Sequence, residues 1–333
     1  SAPGRAGIIG NPTDMYGGAV MSCSVGMRAH VIITPSEDLV LETNEQVCRI
    51  AGPDDLRPQG DYFDIARAVL DYLHAVQKPV EEKPQFTCHV RYESDIPIRS
   101  GMAGSTALVV ALLQGFLTWI GEENSLYRLA ERARYLELNY LKVVCGYQDA
   151  YMCTFGGLNY MDFRGKQFYK EDESELFATI EPLSNYVPAL PFVLAHTGVQ
   201  HASGAVHKPI RERWLEGEKE VVESYKCITE IARIGKKALL TKEWPLLGRL
   251  MNKNHAIQRD LGGSGEPNEK LIQAALQAGA LGAKLAGAGH GGTIIALWPW
   301  PDLSKLKKSL LEAGASNIYH LKIEPGVMAE EVV

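Results

Sequence analysis

The stretch Ser100-Gly101-Met102-Ala103-Gly104-Ser105-Thr106-Ala107 runs directly into an apolar segment over 107–119 with helical spacing. Small side chains at a helix start let an anion approach the free backbone N–H groups closely, and the helix dipole adds to the attraction. The segment reads as a phosphate-binding loop, or else as a plain turn capped by Ser105. No lysine follows the glycines, so the Walker A arrangement is absent.

Downstream, residues 126–141 carry a helical stripe of Leu126, Leu129, Ala130, Ala133, Tyr140 and Leu141, and Glu137 falls in its middle. A carboxylate there needs a partner. The choices are Arg134, three positions back, or a divalent cation, because hard cations take carboxylate and hydroxyl oxygens. Asp149 follows the turn at Gly146 and is open to two readings, a helix N-cap or an acceptor for a substrate hydroxyl proton.

Two more segments carry glycines. In Lys284-Leu285-Ala286-Gly287-Ala288-Gly289-His290-Gly291-Gly292 a formal G-x-G-x-x-G falls at Gly287, Gly289 and Gly292. Dinucleotide binding needs a strand before such a run and a helix after it, whereas here a helix is expected before it and a strand, 293–298, after it. What remains is a tight connection or a second wall of a phosphate site. Near the start, Pro3-Gly4-Arg5-Ala6-Gly7-Ile8-Ile9-Gly10-Asn11-Pro12-Thr13-Asp14 places Arg5 and Asp14 on either side of an apolar, strand-like core. Taken singly, both charges read as solvated surface residues.

Around these motifs the pattern is α+β. Alternation over 25–43 and 86–92 predicts strands, and 61–76 predicts a helix. Helices are expected over 105–120 and 126–141, and a strand over 156–163. A boundary near 182–191 divides the chain into expected domains 1–185 and 186–333. The second domain reads as a strand at 191–196, charged helices through 262, a helix at 268–279, a strand at 293–298, another helix and a last strand at 317–323.

Bulk properties narrow the function. The chain has 333 residues, 46% apolar and 22% charged, the composition of an ordinary globular protein with room for two domains. A net charge of −6 argues against a nucleic-acid surface. The longest apolar runs, 107–113 and 190–195, are far below the roughly 18 residues that span a bilayer. The first residues lack the pattern of a signal peptide, so a cytoplasmic location is expected. Six cysteines without a C-x-x-C pair read as reduced thiols.

Together the three segments, in order and spacing, resemble the signature motifs of the GHMP kinase superfamily. The likeness spans both ends and the middle of the chain. Within that superfamily the glucuronokinases are the nearest likeness, through Gly10-Asn11-Pro12-Thr13-Asp14-Met15-Tyr16, Gln148-Asp149, Tyr160-Met161-Asp162-Phe163, Val206-His207 and Arg211-Glu212-Arg213-Trp214-Leu215. The resemblance implies a ribosomal-protein-S5-like first domain, a ferredoxin-like second domain, and ATP with a sugar acid in the cleft between them. It further implies that Pro97, Ser100, Gly101, Met102, Ala103, Gly104, Ser105 and Thr106 wrap the nucleotide phosphates. Ser105 and Glu137 would hold Mg2+, Asp149 would act as base, and Arg5 would sit at the transferred phosphoryl group. Arg5, Asn11, Asp14, Asp149, Ala288 and Gly289 would face the acceptor.

The sequence also departs from the superfamily. Asn11 stands where galactokinases and mevalonate kinases carry Glu, Ala103 lacks a hydroxyl, and His290 interrupts the third glycine run. The implied reaction is phosphorylation of the anomeric hydroxyl of glucuronate. Other hydroxyl acceptors, and a sugar- and ATP-sensing protein without catalysis, are the competing readings. A sugar acid calls for a basic group, for which Arg99, His207, Lys208, Arg211 and Arg213 are the candidates.

Overall fold

The computed structural model describes residues 1–76, 87–166, 176–187, 189–199 and 203–331, with only the backbone of 203–208. The long strand β2 (Ala19–Pro35) is the spine of the first sheet. Its first half pairs antiparallel with β1 (Ala2–Ile9) and with β6 (Leu158–Asp162), and its second half with β5 (Cys88–Ser94). Beyond these lie β3 (Leu39–Thr43), parallel to β5, then β4 (Gln46–Ile50) at one edge and β7 (Thr179–Pro182) at the other. The alternation over 25–43 thus covers two strands, β2 and β3, with a break between them.

Four helices belong with this sheet: α1 (Asp64–Val76), α2 (Gly104–Trp119), α3 (Leu126–Asn139) and α4 (Gln148–Phe155). Helix α2 is apolar on nearly every side, which is tolerable only for a helix buried all round. It is enclosed by β1, β2, α1, α3 and α4. Its amino end, with the first glycine loop, therefore opens from the centre of the domain.

The second half runs β8 (Phe192–His196), α5 (Ser203–Leu215), α6 (Lys219–Leu240), α7 (Trp244–Asp260), α8 (Glu266–Ala278), β9 (Gly282–Leu285), β10 (Thr293–Leu297), α9 (Ser304–Glu312) and β11 (Asn317–His320). Its sheet has the order β11-β8-β10-β9 and is antiparallel throughout, the ferredoxin-like arrangement with extra helices after β8. One expectation is corrected here. The third glycine loop is preceded by a strand, β9, because α8 stops at Gly279, whose φ of 114° is left-handed. Every residue of β9 is buried, so its four residues show no alternation to read. The loop joins two antiparallel strands, and the helix that a dinucleotide site needs after it is still missing.

The first sheet's last strand ends at Pro182 and the second sheet's first begins at Phe192, on either side of the proposed division at 185/186. After β11 the chain returns to the first sheet. Arg28 donates to the carbonyls of Pro325 and Gly326, and Ser24 Oγ to that of Glu324. The largest apolar cluster likewise runs from Ile8, Met21 and Phe116 through to Phe192, Ile295 and Leu297, so the two halves share a core. All six cysteines are free. Among the described residues no helix is long and apolar enough to cross a membrane.

Candidate active site

Strand β1 joins the three motifs. The Arg5 N–H donates to the Met102 carbonyl and the Gly7 N–H to the Ala286 carbonyl, each at 3.0 Å, so one strand carries the first glycine loop on one residue and the other loop two residues on. The loops also touch each other: Thr293 Oγ1 donates to the Ser100 carbonyl at 2.9 Å, and Gly287 backs onto Gly101. Asn268, fully buried, holds the far side of the later loop by gripping both backbone groups of Gly291. Ala288 is buried, and Gly289 has a φ of 100° that only glycine adopts readily.

At the start of α2 the N-cap is Ala103 in the left-handed region, φ 60°, and no side chain caps the helix. The reading of Ser105 as N-cap is therefore corrected. Its hydroxyl and that of Thr106 instead donate to Glu137 Oε1, at 3.2 and 2.8 Å. The earlier part of the loop is closed by the Ser100 N–H on the Pro97 carbonyl. An α2 end without a capping side chain fits a loop that receives an anion.

Glu137 is buried, and burial together with the charge of Asp149 pushes its carboxyl up from 4.5 to about 7. Arg134, the other partner considered for it, lies over the Tyr147 ring at 4.5 Å. Two hydroxyls converging on one buried carboxylate form an oxygen set that suits Mg2+. Among the described residues no cluster of three or more His, Cys, Asp or Glu is formed. Mg2+ is commonly held this way, by one or two carboxylates with waters and substrate phosphates supplying the rest.

The linkage sign for Glu137 follows from its raised value. Its stabilising contribution is complete below pH 4.5 and is lost as pH rises through about 7. The melting temperature of the free protein should fall across that window, and Glu137→Gln should flatten the fall. Stabilisation by Mg-ATP should grow over the same window in the wild type, because only the ionised form binds the cation well. Asp14 acts with the same sign at lower pH and is untouched by this substitution. Melting curves with and without Mg-ATP decide it: a Gln variant with the wild-type slope and wild-type metal dependence would remove Glu137 from the metal site.

Asp149 is the second residue of α4, whose N-cap is Tyr147, so its reading as a cap is corrected too. It forms a two-pronged ion pair with Arg5, Nε to Oδ1 at 2.7 Å and Nη2 to Oδ2 at 2.8 Å, while Arg5 Nη1 donates to the Gly101 carbonyl at 2.6 Å. The arginine side chain is 8% exposed and the carboxylate 30%, so Asp149 is the member of the pair that faces outward.

What caps α4 is Asp14. Its Oδ2 accepts from the N–H groups of Tyr147 and Gln148, both at 2.9 Å, and burial raises its carboxyl to about 6 despite them. Asp14 thus sets the helix that carries Asp149, a role its surroundings in sequence give no hint of. Asn11 is buried, and its Oδ1 accepts from Lys284 Nζ at 2.7 Å. Lys284 is the residue that sequence reasoning passed over.

The candidate basic groups sit in different surroundings. Arg213 is engaged by Glu218 at 2.7 Å, Arg99 is exposed, and the side chains of His207 and Lys208 lie outside the described residues. Arg211 is half-buried next to Ile210, which lines a narrow cleft with Pro12, Tyr225, Gln258 and Ala288. The Tyr16 ring beside it packs 4.5 Å from Tyr225 and 5.0 Å from Trp214.

Comparison with known proteins finds two family models in the chain. The GHMP kinases N terminal domain matches residues 64–157 and the GHMP kinases C terminal matches 236–315, together just over half of the sequence. Glucuronokinase 1 of Arabidopsis thaliana is 28% identical over 97% of this chain and 91% of its own. Mevalonate kinase of Pyrococcus abyssi is 25% identical over 100% of this chain and 97% of its own. The crystal structure of Lactococcus lactis galactokinase complexed with galactose shares the fold, with a TM-score of 0.80 at 19% identity over 98% of this chain and 93% of its own.

Proposed function

Since the chain belongs to the GHMP kinase family, phosphotransferases acting on a hydroxyl group, we propose that it transfers the γ-phosphoryl of ATP to the anomeric hydroxyl of a hexuronic acid, making glucuronate 1-phosphate. The observation that carries this reading is the Arg5–Asp149 pair, which brings a cation and an outward-facing carboxylate together beside the first glycine loop. The identity with an Arabidopsis glucuronokinase supports the sugar acid.

In this reading the loop from Pro97 to Thr106 cradles the nucleotide phosphates with the backbone N–H groups that follow the proline, and Arg5 neutralises charge that develops on the transferred group. Mg2+ would be held by Ser105 and Glu137 and would supply charge neutralisation at the phosphates. Asp149 accepts the acceptor's hydroxyl proton. Both of its oxygens already bond Arg5, which fixes the carboxylate in one orientation, suited to orienting the hydroxyl for in-line attack, as a loose transition state requires. Asn11, Asp14, Ala288 and Gly289 face the acceptor. A mevalonate-type or neutral sugar acceptor is the second reading, favoured by the full-length match to the Pyrococcus relative.

Turnover of glucuronate, galacturonate, glucose, galactose, arabinose, inositol and mevalonate, with the phosphorylated position read by NMR, tests the proposal. Equal rates on glucose and glucuronate, or a product phosphorylated away from the anomeric carbon, would sink the sugar-acid reading. In this reading Arg211, half-buried next to the cleft that Ile210 and Ala288 line, is the basic group placed toward the substrate carboxylate. A charged hydrogen bond contributes roughly 1.5 to 3 kcal/mol, so Arg211→Gln should raise KM for glucuronate about ten- to a hundredfold and leave a neutral analogue unchanged. Equal effects on both acceptors would remove Arg211 from that role.

A further inference from the structure

Lys284 stands in β9 with no exposed surface, where lysine is rarely found. Its Nζ donates to Asn11 Oδ1 at 2.7 Å and to the Leu285 carbonyl. Among the described residues no carboxylate pairs with it. The ionisable groups facing it are Arg5 on β1 and His255 on α7, the latter bonded to Glu269 on α8 at 2.8 Å; β10, its neighbour strand, carries none. An apolar side chain of similar volume would fill the place without the cost of burying an amine, so the use of the amine lies in what it holds.

What it holds is a joint between two motifs. Asn11 lies in the turn after β1, and Leu285 leads into the third glycine loop. Asn254 of α7 closes the same joint, accepting from the Gly10 N–H at 2.9 Å and donating to the Asn11 carbonyl at 3.4 Å. We propose that Lys284 is a positioning residue for the acceptor end of the site, its amine fixing the Asn11 carboxamide against the third glycine loop so that the two walls move as one. The proposal rests on the kinase reading above, in which Asn11, Ala288 and Gly289 face the acceptor.

Burial, with the charge of Arg5 added, brings the amine down from 10.5 to about 7. The charged form makes the stronger bond to Asn11, so the joint loosens as pH rises through that value. Glu137 ionises over a similar range, but it gates activity on the acid side, whereas Lys284 gates it on the alkaline side.

The test measures kcat and KM for acceptor and ATP from about pH 5.5 to 9.5, on whichever acceptor the screen finds, for wild type, Lys284→Met and Asn11→Asp. Lys284→Met should raise the acceptor KM about tenfold, keep the ATP KM within about twofold, and lose the alkaline limb of the acceptor kcat/KM profile. Asn11→Asp sets a carboxylate on the amine and should move that limb to higher pH by about one unit or more. An amine that merely supports the fold would leave the limb where it is. An active wild type whose Lys284→Met variant keeps the acceptor KM and pH profile, or whose Asn11→Asp variant leaves the limb unmoved, overturns the assignment. If Lys284→Met does not fold, Asn11→Asp alone decides. A wild type that turns over no acceptor sinks the kinase reading, and the acceptor role of Lys284 with it.

Discussion

Asp149→Asn is expected to lower kcat at least about a hundredfold while ATP affinity stays within a few-fold of wild type. The substitution changes two things at once. It removes the carboxylate proposed to accept the hydroxyl proton, and it replaces one of two acceptors facing Arg5 with an NH2 group. Arg5 now bonds Asp149 through both Nε and Nη2, so one of those contacts becomes donor against donor. Arg5 keeps its third contact, to the Gly101 carbonyl, and so stays beside the loop proposed to bind the nucleotide. Nucleotide binding should therefore survive while the acceptor loses its orientation. Steady-state kinetics with a separate titration of ATP binding measure both, and turnover like wild type would remove Asp149 from the mechanism.

Gly287→Ala should cost about a hundredfold in kcat/KM and lower the melting temperature. A Cβ at this position would stand 2.5 Å from the Gly101 carbonyl oxygen and 3.1 Å from its Cα. Both are backbone atoms, which cannot swing aside as the end of a flexible side chain would. One loop must back away from the other by a fraction of an ångström to about one ångström. Displacements of that size at reacting groups cost about a hundredfold, and the overpacking itself costs about 1–3 kcal/mol of stability. An Ala variant with wild-type kinetics and melting would show that the contact between the loops is dispensable.

Parts of this site were legible in the sequence because their local pattern already required a partner. Glu137 interrupts an apolar stripe, and the structure buries it with two hydroxyl donors on one of its oxygens. The start of α2 was legible in the small residues at 100–106 that run into an apolar segment. Arg5 and Asp14 were illegible singly, since what buries each is supplied from well over a hundred residues away, at Asp149 and at the start of α4. Lys284 was hidden for another reason: β9 is short and buried on both faces, so nothing in its periodicity marks the lysine as enclosed. Asn254 and Asn268 read as ordinary polar positions on helices, yet each clamps backbone on a different element. Sequence periodicity reports which face of an element is buried; it is silent on which distant backbone group meets a polar side chain.

The threading of β1 between the two glycine loops also bears on how the chain is made. Asn11 and Lys284, which meet at its end, are 273 residues apart in sequence. At roughly 5–20 residues per second, the ribosome needs about 14 to 55 seconds to deliver the second after the first. During that interval β1 can pair with β2 and bury its apolar side chains, but the donors of Gly7 and Gly10 await carbonyl partners not yet synthesised. Nascent chains halted before residue 254 should therefore be sensitive to protease near residues 10–13 and resistant within β2, and the protection of that first turn should arrive only with the last third of the protein.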